Sequence, residues 1–221
     1  GRAMTEHDLT TTDRTRLRRS HLRGHADRET AYAILDATMH CHVGYTIDGS
    51  PYVTPTFQWR EGDDVFWHGS SASRALRAAE GAEVCLTVSL LDGLVLARSG
   101  FHHSVNYRSV MLFGRARKIE DPAEKTERLR TFVEMITPGR WETLRPMTDQ
   151  ELKGTTILTM PIDEGAAKVR DGGPIDDEED YALPIWAGVV PIRQQVGEPE
   201  PDPRNLPGLD VPGHVRAFRI G

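Results

Sequence analysis

The chain has 221 residues, 38% of them hydrophobic and 27% charged, which suits one soluble domain with a real core and arms at its ends. Its formal charge of −6 argues against a protein built to grip nucleic acid or an anionic membrane. No apolar run approaches the roughly 20 residues of a membrane-spanning helix.

The start has no apolar signal core, so a cytoplasmic protein is expected. Gly1-Arg2-Ala3 reads as a cloning remnant before a native Met4. Cys41 and Cys85 show no CxxC spacing, and buried thiols in a reducing compartment are expected. Residues 1–27 form a polar arm rich in arginine (Arg14, Arg16, Arg18, Arg19, Arg23). Without interleaved aromatics it reads as a solvated arm or a subunit contact.

The main domain is expected over residues 28–192. Asp27 is placed to cap a helix over Arg28–Thr38, with Ala31, Ile34, Leu35 and Thr38 on one face. Cys41–Ile47 alternates as a strand, Asp48-Gly49 signals a hairpin, and Tyr52–Trp59 is the return strand. Pro55 cannot donate a ladder hydrogen bond, so it marks an edge or bulge with backbone groups open to a ligand. Gly62-Asp63 turns the chain into a strand over Asp64–His68, and a helix over Ala72–Ala79 follows.

Glu83–Leu90 is a strand, Leu91-Asp92-Gly93 a turn, and Leu94–Arg98 its return. Ser99–Asn106 is a polar loop, and Tyr107–Ile119 a long strand. Asp121-Pro122 caps a helix running to Ile136 that buries Leu129, Phe132, Val133 and Ile136. Strands follow at Thr155–Ile162, Gly165–Arg170 and Leu183–Pro191, with an acidic loop over 171–183. Residues 193–221 form an extended Pro-rich tail. Short strands, hairpin turns and few helices point to a mainly β (α+β) protein: an antiparallel barrel with flanking helices.

One stretch invites a phosphate: His68-Gly69-Ser70-Ser71-Ala72-Ser73-Arg74. Gly69 permits close backbone approach, three hydroxyls and a helix start offer donors, and Arg74 brings a planar fork matched to phosphate oxygens. The alternative is an ordinary capped surface helix. His40 and His42 share a strand face, but no carboxylate or cysteine completes a metal set, so no metal is expected. His68, His102 and His103 are candidate proton donors, since histidine titrates near neutrality. They serve equally as loop or core hydrogen-bonding groups.

Four pieces, Asp48–Pro55, Phe66–Arg74, Asn106–Gly114 and Trp186–Gly188, occur in an order that resembles the pyridoxamine 5′-phosphate oxidase-like flavoproteins. The nitroimidazole-reductase-like branch is most similar. The resemblance implies a homodimeric Greek-key split β-barrel holding FMN at the dimer interface. It implies that Val53, Thr54, Pro55 and Thr56 lie along the isoalloxazine and that His68, Gly69 and Ser70 follow the ribityl chain. Ser73 and Arg74 would hold the phosphate, Arg108 and Ser109 would approach the flavin, and Trp186 would pack near the ring or the dimer seam.

The expected function is FMN-dependent oxidation or reduction of a small nitro- or quinone-like molecule, with a nicotinamide donor as a further partner. A flavin carrier (FMN or F420) and a haem-binding relative are the alternatives. Ala75 follows Arg74 where vitamin B6 oxidases have lysine, and the chain end lacks their Arg-x-His element. Oxidation of pyridoxamine phosphate itself is therefore not expected.

Overall fold

The computed structural model describes residues 5, 7–17 and 24–220, so the opening residues and Arg18, Arg19 and Arg23 of the arm lie outside it. In chain order the elements begin β1 (Gly24–His25), α1 (Arg28–Ala37), β2 (His40–Ile47), β3 (Ser50–Glu61) and β4 (Asp64–Ser70). Next come α2 (Arg74–Ala79), β5 (Glu83–Leu96), β6 (Ser104–Arg115) and β7 (Arg117–Lys118). The rest are α3 (Pro122–Ile136), α4 (Asp149–Lys153), β8 (Thr155–Pro161), β9 (Glu164–Arg170), β10 (Gly188–Pro191) and α5 (Gly213–Arg216). Every strand pairing is antiparallel, in the order β1-β9-β6-β5-β2-β3-β4-β8-β7, with β10 added on β5. The result is an antiparallel split barrel, mainly β, with a few helices around it.

The local signals that start elements hold. The Asp27 carboxylate accepts the Thr30 N–H at 2.9 Å and caps α1, whose Ala31, Ile34 and Leu35 are buried. Asp48 (φ 48°) and Gly49 (φ 78°) sit in the left-handed region that a two-residue hairpin of this hand requires. Asp121 accepts from Glu124 and caps α3.

The long strand β3 explains the split. On one side it pairs with β2 along most of its length, and Pro55 sits opposite His42 without breaking the strand. On the other side only Gln58–Glu61 pair, with β4. Residues 50–57 therefore keep one free edge, the place where a proline is tolerated. Buried Gln58 ties the changeover to α1, donating from Nε2 to the Leu35 carbonyl at 2.8 Å and the Thr38 carbonyl at 2.7 Å. The barrel interior is filled by Trp67, Leu86, Leu112, Leu158, Met160 and Ile162, all at most 1% exposed. A second cluster, Trp59, Phe66, Ile119, Leu129 and Ile157, lies outside the barrel wall with Phe132 of α3 against it.

Several expectations are corrected. Leu91-Asp92-Gly93 is no turn: β5 runs straight through as one strand of 14 residues, and the register against β6 slips there as a bulge. The physical reason is Arg108 on β6, which takes the Asp92 carboxylate in a two-toothed pair at 2.9 and 2.8 Å. The strand expected to reach Ile119 ends at Arg115, and β7 pairs with β8 instead of β9. The final strand starts at Gly188, five residues late, because the 3-10 turn Glu178–Ala182 and the stretch after it precede it. Of the four residues expected to be buried by α3, only Leu129 is fully so. The tail carries a short helix, α5, and Phe218–Ile220 line a cavity with α1, β3 and α3.

Candidate functional site

The free edge of β3, the end of β4 and the loop into α2 surround a cavity of about 110 Å³. Thr54 and Thr56 face it from β3, Tyr45 from β2, and Gly69, Ser70 and Ser73 from the loop. The alternation of β3 settles which of its side chains do so. Val53 and Pro55 turn to the opposite, exposed face, and Val53 is 68% exposed. The Tyr45 and Thr54 hydroxyls are hydrogen-bonded to each other at 2.9 Å, so the strand hairpin brings a polar pair into the crack of the barrel.

The serine loop is built somewhat differently from expectation. The helix begins at Arg74, not Ala72, and has only six residues, so its macrodipole is a smaller contributor than the sequence suggested. Ser73 Oγ accepts the Leu76 N–H at 3.3 Å as the helix cap, and Ser70 Oγ accepts the Ala72 N–H at 3.1 Å. Both hydroxyls keep their own hydrogen to donate. Gly69 gives its space to Leu76: a Cβ there would stand 2.9 Å from Leu76 Cδ1, which would have to shift.

Arg74 is exposed, and its guanidinium lies 5.1 Å over the Tyr52 ring, which in turn stacks on Tyr45 at 5.6 Å. It has no carboxylate partner among the described residues. A guanidinium held over an aromatic ring, beside two hydroxyl donors, has the chemistry to receive an anion. Sequence reasoning put both tyrosines in strands but gave neither a part in the site. The Asp48-Gly49 hairpin register, which sets Tyr45 opposite Tyr52, was the signal that could have found them.

His68 borders this cavity, yet its ring packs against Trp59 (5.5 Å) and Phe132 (5.0 Å) in the second cluster. Its Nδ1 is buried without a partner, and burial holds its pKa below the ordinary 6.5. The unfolded chain therefore binds a proton first as pH falls below about 6.5, and stability contributed by neutral His68 is full above that pH and lost below it. His68→Phe is expected to flatten the decline in stability between neutral and mildly acidic pH, read from urea melts at several pH values. An unchanged pH slope would contradict this.

The remaining expected site residues lie elsewhere. Arg108 is held by Asp92 and borders a different, larger cavity of about 590 Å³ that His40 also lines. Ser109 pairs across from Ser89 on β5. His102 Nε2 lies 3.3 Å from an Asp177 carboxylate oxygen, and His103 Nδ1 lies 2.8 Å from the Ser99 carbonyl, so both are loop braces here. Trp186 is 70% exposed, with its ring over Gly188, where a Cβ would meet it at 2.9 Å. Within one copy of the chain these five do not join the cavity lined by Thr54 and Ser73.

The antiparallel split barrel with one open strand edge defines the class of β protein. The chain belongs to the pyridoxamine 5′-phosphate oxidase family, whose model matches residues 27–169. Among solved structures it is similar to a flavocytochrome from Azotobacter vinelandii, at 56% identity and a TM-score of 0.92, over 95% of this chain and 98% of that one. It is similar to an FAD- and haem-binding protein from Mycobacterium smegmatis, at 37% identity and a TM-score of 0.85, over 89% of this chain and 97% of that one. A proposed 5-nitroimidazole antibiotic resistance protein from Bacteroides thetaiotaomicron matches at 25% identity and a TM-score of 0.54, over 66% of this chain and 86% of that one. No curated protein matches. No helix among the described residues is long and apolar enough to cross a membrane.

Proposed function

We propose that this chain is a flavin-dependent oxidoreductase of the flavocytochrome type, with its flavin in the crack between β3 and α2 and a haem as second cofactor. The observation that carries the flavin site is the cavity beside the open strand edge, lined by Thr54, Thr56, Gly69, Ser70 and Ser73, with Arg74 next in the chain, over the Tyr52 ring and without a carboxylate partner among the described residues. In this reading Arg74, Ser70 and Ser73 hold a phosphate, and the backbone of Val53–Thr56 offers its unpaired groups to the polar edge of the isoalloxazine. FMN uses all of these contacts. FAD uses the same ones and adds an adenosine half, and the similarity to the Mycobacterium smegmatis protein described as FAD- and haem-binding supports FAD.

The cavity is smaller than a flavin, so a second wall is required. On the other face of the sheet, away from this cavity, Val53, Phe57 and Met111 are 68%, 53% and 43% exposed, and that face is the surface for a second copy of the chain. The homodimer would then bring Trp186 and the 97–103 loop of one copy toward the flavin of the other. A bound flavin supplies hydride acceptance and stepwise electron release, and the protein supplies binding, orientation and exclusion of water.

The test is anaerobic addition of a nicotinamide donor to flavin-loaded protein, followed by a quinone or nitro compound. Bleaching of the visible flavin bands and their return on adding the acceptor is expected. A flavin that stays oxidised with every donor would mark a carrier and contradict the enzyme reading.

A further inference from the structure

We propose that the haem, whose presence rests on the flavocytochrome reading above, sits between the C-terminal segment and the barrel with His40 as its axial ligand. Coverage points to that segment. The family model ends at residue 169, and the nitroimidazole resistance relative covers only 66% of this chain. The two neighbours described as flavocytochrome and as haem-binding cover 95% and 89%.

The segment is fastened over the barrel at a specific place. β10 pairs with β5 from Gly93 to Leu96. Gly93 permits the close approach there: a Cβ would stand 3.1 Å from the Val190 carbonyl and from Val189 Cγ1, a tight contact. The Ile192 N–H then donates to the Asp92 carbonyl at 3.0 Å. Between this segment and the barrel lies the cavity of about 590 Å³, within the usual size of a cofactor site.

Its lining suits a porphyrin. Leu90, Ile192 and Ile220 give apolar walls, and Arg108 and Arg193 give cations for two propionates. Asp92 engages Nε and Nη2 of Arg108, which leaves Nη1 unclaimed. His40 is the cavity's imidazole. Its backbone N–H is held by Thr38 Oγ1 at 3.2 Å and its ring leans on His42 at 5.1 Å, while neither ring nitrogen has a hydrogen bond among the described residues. An oriented imidazole of this kind is suited to ligate iron. His102 and His103 face Asp177 and the Ser99 carbonyl. The free Nδ1 of His68 is sealed among aromatics. His214, with Nε2 buried and unpaired in α5, and His42, one step along the face, are the rivals.

The experiment titrates haemin into the full-length flavin-loaded protein and follows the Soret band and the low-temperature paramagnetic resonance spectrum. Losing a ligand is expected to cost at least the roughly tenfold in affinity that losing a ligand's support costs. His40→Ala should therefore weaken haem at least that far, change the ligation signature, regain it with added imidazole, and keep flavin affinity. His42→Ala and His214→Ala should keep the wild-type spectrum, and Arg193→Ala should weaken haem without changing ligation. A wild-type spectrum in His40→Ala, or loss confined to a rival variant, overturns the site alone. A wild-type protein that binds flavin but no haem overturns the flavocytochrome reading with it.

Discussion

Arg74→Ala is expected to weaken flavin binding by about 2 kcal/mol, roughly thirtyfold, the worth of a charged hydrogen-bonding clamp on a phosphate. The fold should survive, because the side chain is exposed and has no ion pair among the described residues to lose. What disappears is a guanidinium held over Tyr52 and a fork that a point charge does not reproduce. Arg74→Lys should therefore recover only part of the affinity. Arg108→Ala is the informative contrast. That guanidinium is already committed to Asp92, so flavin affinity should stay near wild type. The measurement is a fluorescence titration of FMN and FAD against each variant, beside a thermal melt. Wild-type affinity in Arg74→Ala would remove the phosphate assignment.

Asp176→Ala is expected to destabilise the 171–191 segment by about 3 kcal/mol, the lower part of the range for breaking a buried ion pair, since Arg98 keeps some contact with water. The Asp176 side chain is fully buried. It accepts the Arg98 N–H at 3.1 Å and the Arg98 guanidinium at 3.0 Å, and Arg98 itself lies 4.6 Å over the Tyr181 ring. Arg98 Nε is already buried without a partner, so removing the carboxylate leaves an uncompensated charge in that place. The loss should be local before it is global: hydrogen exchange should accelerate from Asp171 through β10, with the barrel strands protected as before. In the double variant Arg98→Met, Asp176→Leu, much of the protection should return, because no charge is stranded. Uniform acceleration across the chain, or none, would contradict this.

The contrast between these two sites shows what was readable in the sequence. The Thr54–Arg74 region is continuous in the chain, and its geometry follows from local chemistry: a left-handed Asp48-Gly49 turn, a proline on a one-sided edge, a serine cap. All three could be read directly. The rest depends on partners far away in sequence. Asp92-Gly93 has the composition of a turn, but Arg108 sixteen residues on captures the carboxylate and makes it a bulge. Gly69 has the look of a ligand cradle, but Leu76 fills its space. The acidic run Asp176–Asp180 reads as a solvated loop, whereas Asp176 itself is drawn inside by Arg98. The fold-back of the C-terminal residues onto α1 and α3 had no signal, since an extended Pro-rich composition fixes no destination.

The most direct test of the account is the visible absorbance of the purified full-length protein, before and after adding FMN, FAD and haemin separately. Flavin bands with quenched fluorescence and a separate Soret band, each saturating independently, are the expected result. A protein that takes up neither flavin would contradict the central claim and leave a split barrel whose crack holds no cofactor.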